Sequence, residues 1–263
     1  MADIEHGPRC TGWLRSFAES HGPQMSQQSK KLQVGILVCP GFAIVDTIGI
    51  HSVFGFIPDT EVHLLWKDKE LIEAIPRFPV HATTTFRESP KDFDVLCVGA
   101  CPNEILRDEE TLAFLKDRGS RAGYLVGVCS GSLVLGAAGL LEGYRATSNF
   151  HVMDLLPHFG AIPTRENVVI DRNRYTSGPA TGGFDCGLRV LEKLRGEEVA
   201  KLSELSMEYT AQPPFGTGSP ELAGPELTRK ALQLFAHFTE ETRRTVRDLP
   251  LRRAGAGGSE KGR

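Results

Sequence analysis

From Leu32 onward the sequence predicts an α/β domain built on a mainly parallel sheet. Three observations carry that reading. Near-continuous apolar runs recur at 33–39 (QVGILVC), 93–98 (FDVLCV) and 123–128 (GYLVGV), the pattern of strands buried on both faces. Segments with apolar residues at helical spacing lie between them. The third run passes without a gap into a helical pattern through Gly127-Val128-Cys129-Ser130-Gly131, a strand–nucleophile–helix elbow.

The elements follow in order. Pro40-Gly41 ends the first strand, and 46–56 places Ile48, Val53 and Phe54 at helical spacing. Residues 61–66 (EVHLLW) form a second strand. Residues 70–87 alternate weakly and hold Pro76 and Pro79, which predicts a short hairpin or edge strands. Residues 109–118 form an amphipathic helix, and 130–138 a second helix directly after the elbow. Residues 167–171 and 174–177 are strands around the turn Arg172-Asn173, followed by helices at 184–194 and 197–208. Pro213-Pro214 and Pro220 mark a rigid connection. One last helix is expected over 226–247, with Leu232, Phe235 and Phe238 on one side. The expected organisation is a polar leader over 1–31 (with Met25 as an alternative start), a domain over 32–222, a C-terminal helix over 223–250 packing on it, and a Gly-rich, basic, disordered tail over 251–263.

Composition removes several classes. With 263 residues, 40% hydrophobic and 24% charged, the chain is neither wholly disordered nor collagen-like nor a coiled coil. A net charge of −3 gives no reason to expect a nucleic-acid partner. Six cysteines without a CxxC pair, in a chain this large, point to free thiols in a reducing compartment, hence the cytoplasm. Residues 1–31 lack the apolar stretch of a signal peptide, and no window approaches the ~18 apolar residues that span a bilayer. There is no HExxH and no paired Cys/His spacing, so no metal is expected.

The elbow carries the chemistry. A residue at the tip of a sharp strand-to-helix turn adopts strained backbone angles, and the residues two positions to either side must be small. Gly127 and Gly131 meet that need. The thiol of Cys129 then points out at the carboxyl ends of the strands, where α/β folds place their ligands. Its seat at a helix N-terminus is expected to favour thiolate. The N–H of Ser130 is the first candidate anion donor, and the loop Gly99-Ala100 supplies the second. Cys39, Cys97 and Cys186 sit in apolar segments and read as core; Cys101 follows a strand end.

The sequence also resembles the ThiJ/PfpI superfamily and, within it, the isonitrile hydratases. The resemblance spans about 33–221 and rests on VDTIG at 45–49, VCSGSLVLGAAGLLEGYRAT at 128–147, GAIPTRENVVIDRN at 160–173 and EYTAQPPFGTGSP at 208–220. It implies a flavodoxin-like three-layer sandwich, a homodimer, no cofactor, and hydration of a small-molecule isonitrile to an N-substituted formamide. It also implies roles: Cys129 as nucleophile, Asp46 as the acid beside the thiol, Ser130 as the catalytic hydroxyl, and Thr181 in the pocket wall. The other reading of Asp46 is the N-cap of the helix it opens, and it could serve both roles; the preference for the site role rests on the resemblance. Asn149-Phe150 stand where hydratases carry His-Trp, so a Cys-His dyad is not expected unless His151 folds into the gap. Phe150 then helps to shape the substrate site. The loop VGACP replaces a double-Gly pattern and leaves Ala100 as the second donor. Two other readings share the fold: a thiol that senses oxidants by becoming sulfinate, and a silent small-molecule binder.

Overall fold

The computed structural model describes residues 30–250. Nearly all of the expected leader, including Met25, and the expected tail lie outside the described residues. The elements are β1 (Leu32–Leu37), α1 (Ile44–Gly55), β2 (Thr60–Trp66), β3 (Leu71–Ala74), β4 (Phe78–His81), β5 (Thr84–Thr85), β6 (Val95–Val98), α2 (Glu109–Arg121), β7 (Tyr124–Val128), α3 (Gly131–Ala137), β8 (Arg145–Ala146), β9 (Ile162–Pro163), β10 (Val168–Asp171), β11 (Arg174–Ser177), α4 (Gly183–Arg195), α5 (Glu197–Ser206), α6 (Pro220–Leu234) and α7 (Ala236–Arg247).

The central sheet has seven strands in the order β10-β11-β7-β6-β1-β2-β5. Every pairing is parallel except β10 with β11. The apolar runs occupy its middle: all four residues of β6 are buried, as are the last four of β7. Helices flank the sheet, which makes the three-layer α/β sandwich. α4 packs on both α1 and α5, while α2 packs on α3, which lies against β6 and β7. α3 is buried at six of its seven residues, so its apolar composition all round fits a helix enclosed by protein. α2 has an exposed face and a defined start, where the Asp108 side chain accepts from Thr111 N–H at 2.9 Å. The stretch at 70–87 divides between the β3–β4 hairpin and the short edge strand β5.

The expected single helix over 226–247 is two helices. Within α6 the chain kinks at Gly224, which sits at φ 76 just before Pro225. The second break is at Phe235, between α6 and α7. There the Phe235 ring stacks on His151, with centroids 4.9 Å apart and planes 3° from parallel. A tertiary contact thus overrides local helix propensity. α7 then docks through Thr242 Oγ1 on Asn103 Oδ1 (2.8 Å) and through Arg243 on Asp154 (2.5 and 3.0 Å).

Candidate active site

β7 ends at Val128 and α3 begins at Gly131, so Cys129 and Ser130 make the whole turn. Cys129 has φ 57, the left-handed region that a β-carbon disfavours. Such a residue stores ~1–3 kcal/mol and persists only where its surroundings hold it. Here Cys129 N–H donates to Ser177 O at 2.8 Å, and Ser148 Oγ donates to Cys129 O at 2.9 Å. Gly131 is required by contact and Gly127 is tightly fitted. A β-carbon on Gly131 would run into Val98 O, and one on Gly127 would stand 3.0 Å from Leu135 Cδ1 and 3.1 Å from Ser132 Oγ.

Asp46 lies in the first turn of α1, buried to 1% exposure. It does not cap that helix: the N-cap is Ala43, and no side chain caps it. Its Oδ2 instead accepts the N–H of Ala100 at 2.7 Å. The loop after β6 therefore holds the acid, and the Ala100 donor expected to bind an anion is already committed to Asp46. Gly99 permits this approach, since a β-carbon there would sit 2.7 Å from Asp46 Cβ. α1 is fixed from behind by α4, because a β-carbon on Gly49 would stand 2.5 Å from the backbone of Gly183.

Asp46 and Cys129 form an interacting pair. Burial raises the Asp46 carboxyl from 3.8 to about 7, against the opposing hydrogen bond from Ala100 N–H and the influence of the neighbouring thiol. The Cys129 thiol is pushed up to about 12, first by burial and then by the Asp46 charge. Ser130 N–H and Asn149 pull it down. This corrects the expectation that the helix terminus yields a resting thiolate: desolvation and the neighbouring carboxylate outweigh it. Between those two values the pair holds one proton.

Asn149 was not among the sequence candidates. Its Nδ2 donates to Cys129 Sγ at 3.4 Å. The sequence flagged this position only as a lost histidine. His151 does not fill the gap. Its ring packs in a cage of Phe150, Phe235 and Phe238, with Nδ1 3.2 Å from Thr239 Oγ1. Burial, and then the Arg243 charge, lower its pKa. Ser130 is 6% exposed and its hydroxyl caps nothing.

A cavity of about 340 Å³ opens next to the turn, lined by Ser148, Asn149, Phe150, Arg165, Pro179 and Thr181 among others. Cys129 is not part of that wall; the two residues that bond to its carbonyl and its sulfur are. Phe150 and Thr181 thus stand in the cavity, while Gly99, Ala100 and Asp46 support the thiol from the other side. Cys39, Cys97 and Cys186 are fully buried, and Cys101 donates to Gly99 O at 3.4 Å. Among the described residues no cluster of three or more His, Cys, Asp or Glu could hold a metal ion, and no helix is long and apolar enough to cross a membrane.

Comparison with known proteins shows the family and the fold. The model of the DJ-1/PfpI family matches residues 32–193. The chain is 40% identical over 227 residues to isonitrile hydratase of Pseudomonas putida, covering 84% of this chain and 99% of that one. A crystal structure of a ThiJ/PfpI family protein from Pseudomonas syringae superposes with TM-score 0.81 at 38% identity, over 86% of this chain and 95% of the other. Oxidized DJ-1 of Toxoplasma gondii shares the fold, with TM-score 0.59 at 20% identity over 68% of this chain and all of its own.

Proposed function

The chain belongs to the DJ-1/PfpI family, and from that premise we propose that it is an isonitrile hydratase-like lyase, adding water to R–NC to give an N-substituted formamide. The observation that carries this reading is a buried carboxyl poised at about 7 beside a thiol on a strained elbow. The thiol proton moves to Asp46 as sulfur bonds to the isonitrile carbon. Asp46 returns that proton to the same carbon, leaving a thioimidate, R–N=CH–S–Cys129. Asp46 then takes a proton from water as its oxygen adds to the carbon, and passes that proton to nitrogen. The C–S bond breaks, C=O forms, and the hydroxyl proton returns to sulfur. Atoms balance as R–NC + H₂O → R–NH–CHO.

Ser130 N–H steadies the sulfur while it carries charge, and its hydroxyl orients Asp46 or the attacking water. The cavity with Phe150 and Thr181 takes the R group. No step calls for a cofactor. We further propose a cytoplasmic homodimer with neither nucleic acid nor membrane as partner. Val45 and Ile48, 42% and 40% exposed on either side of Asp46 along the chain, are apolar surface for a second copy to cover. The oxidant-sensor reading is less favoured, because sulfinate forms from thiolate and this thiol is held protonated.

Incubation with a simple alkyl isonitrile, followed by proton NMR, tests the proposal. Steady growth of the formyl proton signal in proportion to enzyme is expected. A spectrum no different from buffer alone overturns it.

A further inference from the structure

Two fully buried oxygens beside the sulfur have no hydrogen-bond partner: Oδ1 of Asp46 and Oδ1 of Asn149. Buried acceptors are satisfied as a rule, because a bare one costs ~1–3 kcal/mol. Rotation about the side chain does not free either of them, since the second polar atom of each is committed. Asp46 Oδ2 is held by Ala100 N–H at 2.7 Å, and Asn149 Nδ2 donates to Cys129 Sγ at 3.4 Å. Both residues act on the same sulfur. The segment carrying Asn149 is pinned on both sides, by Ser148 Oγ on Cys129 O and by the His151 ring among three phenylalanines. Asn149 also lines the cavity. Two orphan acceptors flanking one sulfur complement a small molecule with two hydrogens to give.

We propose that Asn149 is a catalytic residue: its Nδ2–H donates to the Cys129 sulfur as negative charge develops there, and its Oδ1, with Asp46 Oδ1, seats the water that attacks the thioimidate. One water hydrogen goes to Asp46 Oδ1 and is transferred; the other stays on the attacking oxygen, held by Asn149 Oδ1 until the C–S bond breaks. The hold on sulfur is independent of the hydratase reading, and the role toward water rests on it.

The test uses Asn149→Leu, which removes donor and acceptor at similar size, with Asn149→Ser as a second variant should the first fail to fold. The first readout is peptide-resolved alkylation of Cys129 by iodoacetamide between pH 7 and 9.5. Loss of a hydrogen bond to a charged group lowers the rate at fixed pH about 10-fold, whereas a merely loosened loop would raise it. The second readout is intact mass during turnover. The variants are expected to accumulate a Cys129 adduct heavier by one isonitrile, which wild type does not. Unchanged or faster alkylation overturns the inference. Slower alkylation without an adduct, in a wild type that makes formamide, overturns the water role. Slower alkylation in a protein that makes no formamide at all overturns the hydratase reading and leaves the hold on sulfur standing.

Discussion

Asp46→Asn is expected to lower kcat about 10³-fold, within the range that a positioned acid–base group supplies, and Cys129→Ala to remove turnover altogether. Asn keeps the shape and can still accept from Ala100 N–H, so the loss isolates the proton. The pH profile provides the sharper check. With Asp46 at about 7 and Cys129 at about 12, the pair carries two protons below pH 7 and one above it. Only the one-proton state has a base to receive the thiol hydrogen. Wild-type kcat/KM is therefore expected to rise through pH ~7 and then level, and the residual activity of Asp46→Asn to lack that inflection.

Stability moves the opposite way. The native carboxyl holds its proton up to about 7, whereas the free group releases it near 3.8. The unfolded state therefore binds fewer protons across that window, and wild-type stability falls as pH rises from ~4 to ~7. Asp46→Asn has no such loss. It is expected to melt higher than wild type at pH 8, with the gap closing toward pH 4. Equal melting temperatures at both pH values would mean that Asp46 is not buried as a strained acid, and differential scanning calorimetry decides the point.

Much of this was legible because the patterning is local. The runs at 33–39, 93–98 and 123–128 are apolar through their length, since β1, β6 and β7 lie in the middle of a sheet covered on both faces. GVCSG declared its turn because Gly131 is dictated by backbone contact and Gly127 is closely fitted against Leu135 and Ser132. The helical period over 226–247 was present too, yet the chain breaks at Phe235. Its partner, His151, lies far away in sequence, and periodicity carries no information on such a contact. Asn149 was invisible for a related reason. Its position registered as the absence of histidine, but an amide that donates to sulfur is recognised only once Ser148 and Cys129 are adjacent in space. The charge state of Cys129 was misjudged because a helix terminus can be read from order along the chain, while the depth of burial that opposes it cannot.

Gly131→Ala is expected to do the most damage to the fold for the least change in chemistry. The added methyl would run into Val98 O and lie 2.7 Å from Gly99 O. Both are backbone atoms, so no side chain can swing aside. Relief requires α3 to move off the end of β6, and α3 is already buried at six of seven residues. Overpacking of a tight interior costs ~1–3 kcal/mol and more where backbone must shift. At about 3 kcal/mol the melting temperature falls by roughly 6–12 °C for a domain of this size. The same displacement moves the turn that holds Cys129 at φ 57 and the Gly99–Ala100 loop that holds Asp46. Turnover in whatever fraction stays folded should therefore fall as well, and by more than the melting shift alone accounts for. A Gly131→Ala protein that melts within 2 °C of wild type would show that the helix has room to retreat from β6, and that the close approach at the elbow is not what fixes the thiol.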